Sequence, residues 1–290
     1  MIPCNLVDSV KLRHHPFDIV SVSSNICRKF INFLPLQRAA WNKFFPDCAL
    51  HFSIVYAPEQ YDDAKQIASD WGCNLYRAVP GIPIGNQGKL ARLFEATRHG
   101  DKIVLIADAD SIPLQSAYLQ DLLSLRKPYH LGMIGAEYYI GSVDSGKCPM
   151  VPTTAESVVF KKIFNLQDSS TWESFLKQIL SKVEYSNPID KKEDPRISDD
   201  PSKLLHFSDE SLMRLYLNSS PAPCQYIRRD ALFPLDIQLH WIDRSWFMID
   251  EEKLRLGFYT EANLPRPFDP LVCDPILRYL GIHNSYNFIV

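Results

Sequence analysis

Apolar and polar positions follow two rhythms along the first hundred residues. Residues 18–25, Asp-Ile-Val-Ser-Val-Ser-Ser-Asn, are short, β-branched and end in small polar side chains, which predicts a buried strand. Over residues 27–45 the apolar side chains Phe30, Phe33, Leu34, Trp41 and Phe45 recur near helical spacing, with Pro35 expected to kink or split the helix. Residues 49–57 read as a second strand, 60–71 as a helix closed by Gly72, and 74–79 as a third strand. A loop over 80–85 leads to a helix over 88–98 that puts Leu90, Leu93, Phe94 and Thr97 on one face, and a strand over 102–107 follows. This β-α-β-α-β-α-β order predicts an α/β protein with a mostly parallel, doubly wound sheet whose ligands collect at the carboxyl ends of the strands.

Beyond that point the rhythm loosens. Strands are predicted at 130–140 and 157–161, a helix at 171–183 with Trp172, Phe175, Leu176 and Ile179 inward, and another helix at 209–217 before a Pro-rich tail. Residues 186–203 hold charges and prolines with almost no apolar side chains, the composition of a mobile surface loop. The expected organisation is a first half over 1–150 and an α+β half over 151–290, within one domain. At 290 residues the chain is long enough for a large core.

Charge and cysteines narrow the class. A net charge of −3 lacks the basic footprint of a nucleic-acid binder, so no nucleic-acid partner is expected. The seven cysteines are odd in number, dispersed and free of Cys-x-x-Cys, which fits a reducing compartment. No run approaches the roughly 18 to 20 apolar residues of a membrane span, and the first 20 residues have no signal-peptide core; a soluble, cytoplasmic protein is expected.

The sharpest chemical signal is Asp108-Ala-Asp110, placed where a buried strand runs out into solvent. Carboxylates two apart at a strand end can face one hard cation such as Mg²⁺ or Mn²⁺, and Pro113 helps fix the turn. Ordinary turn-forming aspartates are the plainer reading of the same residues. An apolar strand ending in Asp-x-Asp, preceded by a β/α half and a helix carrying Lys89 and Arg92, resembles the GT-A nucleotide-sugar glycosyltransferases over residues 18–165. The resemblance implies that Asp110 binds the metal directly, that Asp108 contacts the donor ribose or a metal-bound water, and that residues 1–150 form the nucleotide-sugar-binding half and residues 151–290 the acceptor half. Ser23, Ser24 and Asn25 would lie against base and ribose, and Lys89 or Arg92 would reach the donor's sugar or diphosphate. The implied partners are a UDP- or GDP-sugar donor and a glycan acceptor.

Such chemistry also needs a base on the acceptor side. Asp209, first, and Glu210, second, stand at the start of a helix about 100 residues after Asp-x-Asp, the place of the base in inverting members of that family. Complementing the helix dipole below a Ser208 cap accounts for them equally well. His240 resembles the downstream histidine that completes metal coordination, and its imidazole favours Mn²⁺ over Mg²⁺; a packed histidine beside Trp241 is the alternative. Tyr138, Tyr139, Trp241 and Trp246 offer either a stacking wall or core. Two competing readings remain: a haloacid-dehalogenase-like phosphatase or phosphotransferase, with Asp108 as nucleophile and Lys191-Lys-Glu-Asp194 as its later acidic and basic groups, and a sugar-nucleotide or glycan binder without turnover.

Overall fold

A computed structural model describes residues 16–135, 152–185, 209–229, 240–242, 249–266 and 268–282. The first strand, β1 (Ile19–Asn25), is central because both its faces are covered. Val20 and Val22 pack into one apolar layer, whereas Ile19, Ser21 and Ser23 face the other way. The small serines on that face allow a helix to come close.

The predicted first helix is split into α1 (Arg28–Ile31) and α2 (Leu34–Phe44), with Pro35 in the first turn of α2, where its missing N–H costs nothing. Next come β2 (Ala49–Tyr56), α3 (Tyr61–Trp71), which Gly72 closes at φ 61°, β3 (Asn74–Arg77) and α4 (Ile84–Ala96). The helix α4 begins four residues before the predicted start and absorbs Gly85 and Gly88. A Cβ on Gly88 would stand 2.8 Å from the backbone nitrogen of Asn25, so the glycine that marks a weak helix former is there to let α4 lie on β1.

Then follow β4 (Ile103–Ile106), β5 (Ser111–Pro113), α5 (Ser116–Ser124) and β6 (Leu131–Ile134). The strand predicted at 157–161 is corrected: β7 (Thr153–Glu156) lies just before it and residues 157–161 open α6 (Ser157–Phe164). Ser157, Phe160, Ile163 and Phe164 are buried at helical spacing, so packing overrides the β-branched Val158-Val159 pair. The remaining elements are α7 (Trp172–Tyr185), α8 (Asp209–Ser219), β8 (Cys224–Ile227), β9 (Trp241–Ile242), α9 (Glu251–Arg255), β10 (Glu261–Asn263) and α10 (Pro270–Leu280). Much of the tail read as Pro-rich is thus folded. The loop predicted over 186–203 lies outside the described residues.

Seven strands form one sheet in the order β3-β2-β1-β4-β7-β6-β8, with strands from both sides of residue 150, and only β7 antiparallel to its neighbours. The α/β, mostly parallel reading holds. One face is covered by α4, α6, α7 and α8, the other by α2, α3 and α5. A second sheet, β5-β10-β9, packs with α2 and α10 into a third cluster. Among the described residues no helix is long and apolar enough to cross a membrane, and five cysteines are free thiols.

Candidate functional site

The strand order reverses between β1 and β4: β2 and β3 lie to one side of β1, and the chain then returns to place β4 on the other. Connections diverging from such a point leave a crevice beyond the carboxyl ends, where open α/β sheets bind ligands. Here Ser23, Ser24 and Asn25 end β1, and Asp108-Ala109-Asp110 follows β4.

The aspartate turn is held from beneath. Gln37, fully buried in α2, donates from Nε2 to the carbonyls of Asp108 (3.0 Å), Ala109 (2.8 Å) and Ser111 (2.9 Å), while its Oε1 accepts from Trp41 Nε1 at 2.7 Å. The Leu264 N–H donates to the Asp110 carbonyl at 2.7 Å, which ties the turn to the small sheet. Each carboxylate meets its own guanidinium. Arg92 Nη1 donates to the Ala107 carbonyl at 2.8 Å and pairs with Asp108, and its Nη2 pairs with Asp209 at the start of α8. Arg266 engages both oxygens of Asp110, with Nη2 2.6 Å from Oδ1.

Arg92 is 4% exposed and Asp110 1%. Burial pushes the Arg92 guanidinium down, but Asp108 and Asp209 outweigh it and hold its proton more tightly than in a free arginine. Burial and Asp110 act on Arg266 in the same opposed way, with the same net direction.

Asp108, Asp110, Arg92 and Asp209 therefore meet at this crevice, beside the Ser23-Ser24-Asn25 end of β1. Arg92 is enclosed by the two carboxylates of Asp108 and Asp209. Lys89, one turn earlier on α4, is exposed. Ser23 Oγ accepts from the Arg92 N–H at 3.1 Å, so it bolts α4 to β1. Ser24 Oγ donates to the Asn25 carbonyl at 2.8 Å, and Asn25 is half-buried at the strand end. Asp209 is buried and paired with Arg92, whereas Glu210 is half-buried in the same first turn of α8.

His240 is not brought to the aspartates. Its Nδ1 lies 2.7 Å from the Phe258 carbonyl and its ring stacks on Phe258 at 4.2 Å between centroids. Along β10 it flanks Thr260, whereas Asp110 flanks Leu264, four residues and about 13 Å away at strand spacing. A divalent ion shared by Asp108, Asp110 and His240 does not fit this arrangement, because guanidinium groups occupy both carboxylates and the imidazole is remote. Among the described residues, the three side chains whose ligand atoms lie within 4.8 Å of one another are His51, Glu95 and His99. Trp241 is half-buried beneath the Arg229 guanidinium, 5.3 Å from its ring centre. Tyr138, Tyr139, Trp246, Ser208 and Lys191-Lys-Glu-Asp194 lie outside the described residues.

Gln37 and Arg266 were not legible as site residues. A glutamine on the buried face of a helix, between Leu34 and Trp41, is a signal that could have exposed the first; Arg266, between two prolines, offered none.

No family model matches the chain, and no curated protein matches it. Solved structures similar to it include the galactosyltransferase LgtC in complex with donor and acceptor sugar analogs, 15% identical over 92% of this chain and 96% of that one, with a TM-score of 0.45. The glycosyltransferase GlyE of Streptococcus pneumoniae TIGR4 is 13% identical over 75% of this chain, with a TM-score of 0.39; the chain spans 46% of its length. Glucosyl-3-phosphoglycerate synthase from Mycobacterium tuberculosis, in complex with Mn²⁺, UDP and phosphoglyceric acid, is 13% identical over 93% of this chain and 80% of that one, with a TM-score of 0.35. Likeness of this size leaves the function to be read from the site itself.

Proposed function

We propose that the chain is a nucleotide-sugar glycosyltransferase whose donor binds at the β1–β4 switch point. The observation that carries this reading is the Asp108-Ala109-Asp110 turn at that point, pinned by Gln37 and met by Arg92, Asp209 and Arg266. The crevice accepts the nucleoside diphosphate of a UDP- or GDP-sugar, with the end of β1 beside the nucleoside. As the anomeric C–O bond breaks, its electron pair passes to the diphosphate, and Lys89 and Arg266 are the cations that would meet the developing charge.

A glycan hydroxyl supplies the new bond to the anomeric carbon. Its proton goes to Glu210, which we prefer to Asp209 because Glu210 is half-buried where Asp209 is buried against Arg92; an inverting displacement follows from that choice. Asp209 positions the start of α8. The acceptor lies on the side built from residues after 150. The Mn²⁺ expected from the Asp-x-Asp pattern enters only as a question for the test, since Arg266 holds Asp110.

Calorimetric titration with UDP and with GDP, each in Mn²⁺ and in EDTA, tests the reading. One nucleotide should bind saturably, Asp108→Asn should weaken it at least tenfold, and Glu210→Gln should spare binding while lowering transfer by roughly 10²–10⁴-fold. Binding only with Mn²⁺ would assign an ion to the turn with Arg266 displaced; binding in EDTA would assign the charge to Arg266 and Lys89. Absence of binding to either nucleotide under every condition overturns the proposal.

A further inference from the structure

At the opposite end of the sheet, where strands begin, a second group of polar side chains has no part in the chemistry above. His51 lies near the start of β2, paired in register with Ser21; Glu95 is in the last turn of α4; His99 is in the turn that leads to β4. Because α4 runs against the strands, Arg92 and Glu95, one turn apart, serve opposite ends of the sheet. The His51 Nδ1 and His99 Nε2 atoms lie 3.2 Å and 3.1 Å from the same carboxylate oxygen, Glu95 Oε1, and the two imidazole rings meet edge to face at 4.6 Å.

Three features of this group go beyond an ion pair. Ligand atoms bound at about 2.0–2.1 Å around a tetrahedral Zn²⁺ stand about 3.3 Å apart, close to both nitrogen-to-oxygen separations here. His99 Nε2 is buried and, at 3.1 Å from Glu95 Oε1, makes no aligned hydrogen bond. The second carboxylate oxygen, Oε2, accepts from the Tyr76 hydroxyl, as ligating carboxylates are oriented in metal sites. His99 is itself fixed, its backbone N–H donating to Ser157 Oγ at 2.9 Å.

We infer that His51, Glu95 and His99 form a binding site for a divalent transition metal of the Zn²⁺ class. Two imidazoles and one carboxylate suit zinc and its neighbours and not Mg²⁺ or Ca²⁺, which favour all-oxygen shells. The side chain of Glu95 is 6% exposed and that of His99 12%, against 32% for His51, so the fourth position opens toward solvent on the His51 side and takes water. The bound ion joins β2 to both ends of the α4–β4 connection.

The test is metal titration of the full chain carrying no added histidines, after chelator treatment, with Co²⁺ followed by its visible d–d bands and displaced by Zn²⁺. One equivalent should bind with the bands of a four-coordinate ion. His51→Gln, at a partly exposed position, and His99→Gln should each abolish saturable binding, Tyr76→Phe should weaken it roughly 10–100-fold, and Asp110→Asn should leave it unchanged. Circular dichroism on each variant establishes that it is folded. No saturable uptake by the native chain, equal affinity in His51→Gln and His99→Gln, or loss with Asp110→Asn alone would each overturn the assignment; none of these outcomes bears on nucleotide binding.

Discussion

Gln37 spends a whole side chain on holding a turn. Its amide meets the carbonyls of Asp108, Ala109 and Ser111, all at 3.0 Å or less. Gln37→Leu keeps the volume and removes the donors, and a buried carbonyl left unpaired costs about 1–3 kcal/mol. The expected outcome is a loss of about 2–3 kcal/mol in urea unfolding, with nucleotide affinity falling at least tenfold because the carboxylates lose their fixed direction; full affinity in a destabilised variant would mean that the turn holds its shape unaided. At this scale the sequence was partly readable. Asp108, Asp110, Arg92 and Asp209 could be named because each is a charged group at an element's end or on a helix. Their pairing could not, since residues 92, 108 and 209 are joined only by the way α4 and α8 pack. His240 shows the converse, for spacing along the chain says nothing about four residues of offset along β10.

The helix α4 organises both ends of the sheet, and its position depends on what its side chains lack. Gly88 meets the Asn25 backbone, Ser21 Oγ donates to the Arg92 carbonyl at 3.0 Å, and Ser23 Oγ accepts from the Arg92 N–H. Alanine is the better helix former by about 1 kcal/mol, so in an isolated helix Gly88→Ala would be stabilising. In the protein the new methyl would press on backbone atoms of β1 that cannot rotate away. We expect the thermal midpoint to fall and nucleotide binding to weaken with it, because β1 ends in the crevice; a raised midpoint would show that α4 can slide. The first turn of α4 escaped the sequence reading, since Pro83 and Gly85 look like a loop. The strand–helix exchange at 153–164 has a related cause. Val158 and Val159 carry a β signal, and only burial of Ser157, Phe160, Ile163 and Phe164 on one side settles the period.

Across the molecule, the sheet's parallel half was legible because alternating elements with short connections admit few topologies. The far half was not, because β7 runs against the rest and joins two parts of the chain that sequence periodicity does not relate. A clamp at that junction gives the last prediction. Glu156, at the end of β7 and in register with Ile103 of β4, accepts from Arg126 Nη1 at 2.9 Å and Nη2 at 3.1 Å, and from the Tyr129 N–H at 3.2 Å. Burial pushes this carboxyl up, but the Arg126 and Tyr129 bonds outweigh burial and leave it below its ordinary value of 4.5. A carboxyl depressed on folding contributes stability that is present above its unfolded value and lost as pH falls through its folded one. Removing one partner of an enclosed ion pair costs roughly 3 kcal/mol, so Glu156→Gln should lower unfolding stability by about that amount at neutral pH. As pH drops below 4.5 the native protein protonates Glu156 and approaches the variant, so urea midpoints of the two should converge with acidification. A gap that stays constant well below that pH would mean that Glu156 does not depend on Arg126. The junction of β4 and β7 would then be held by the backbone ladder and by the apolar layer beneath it.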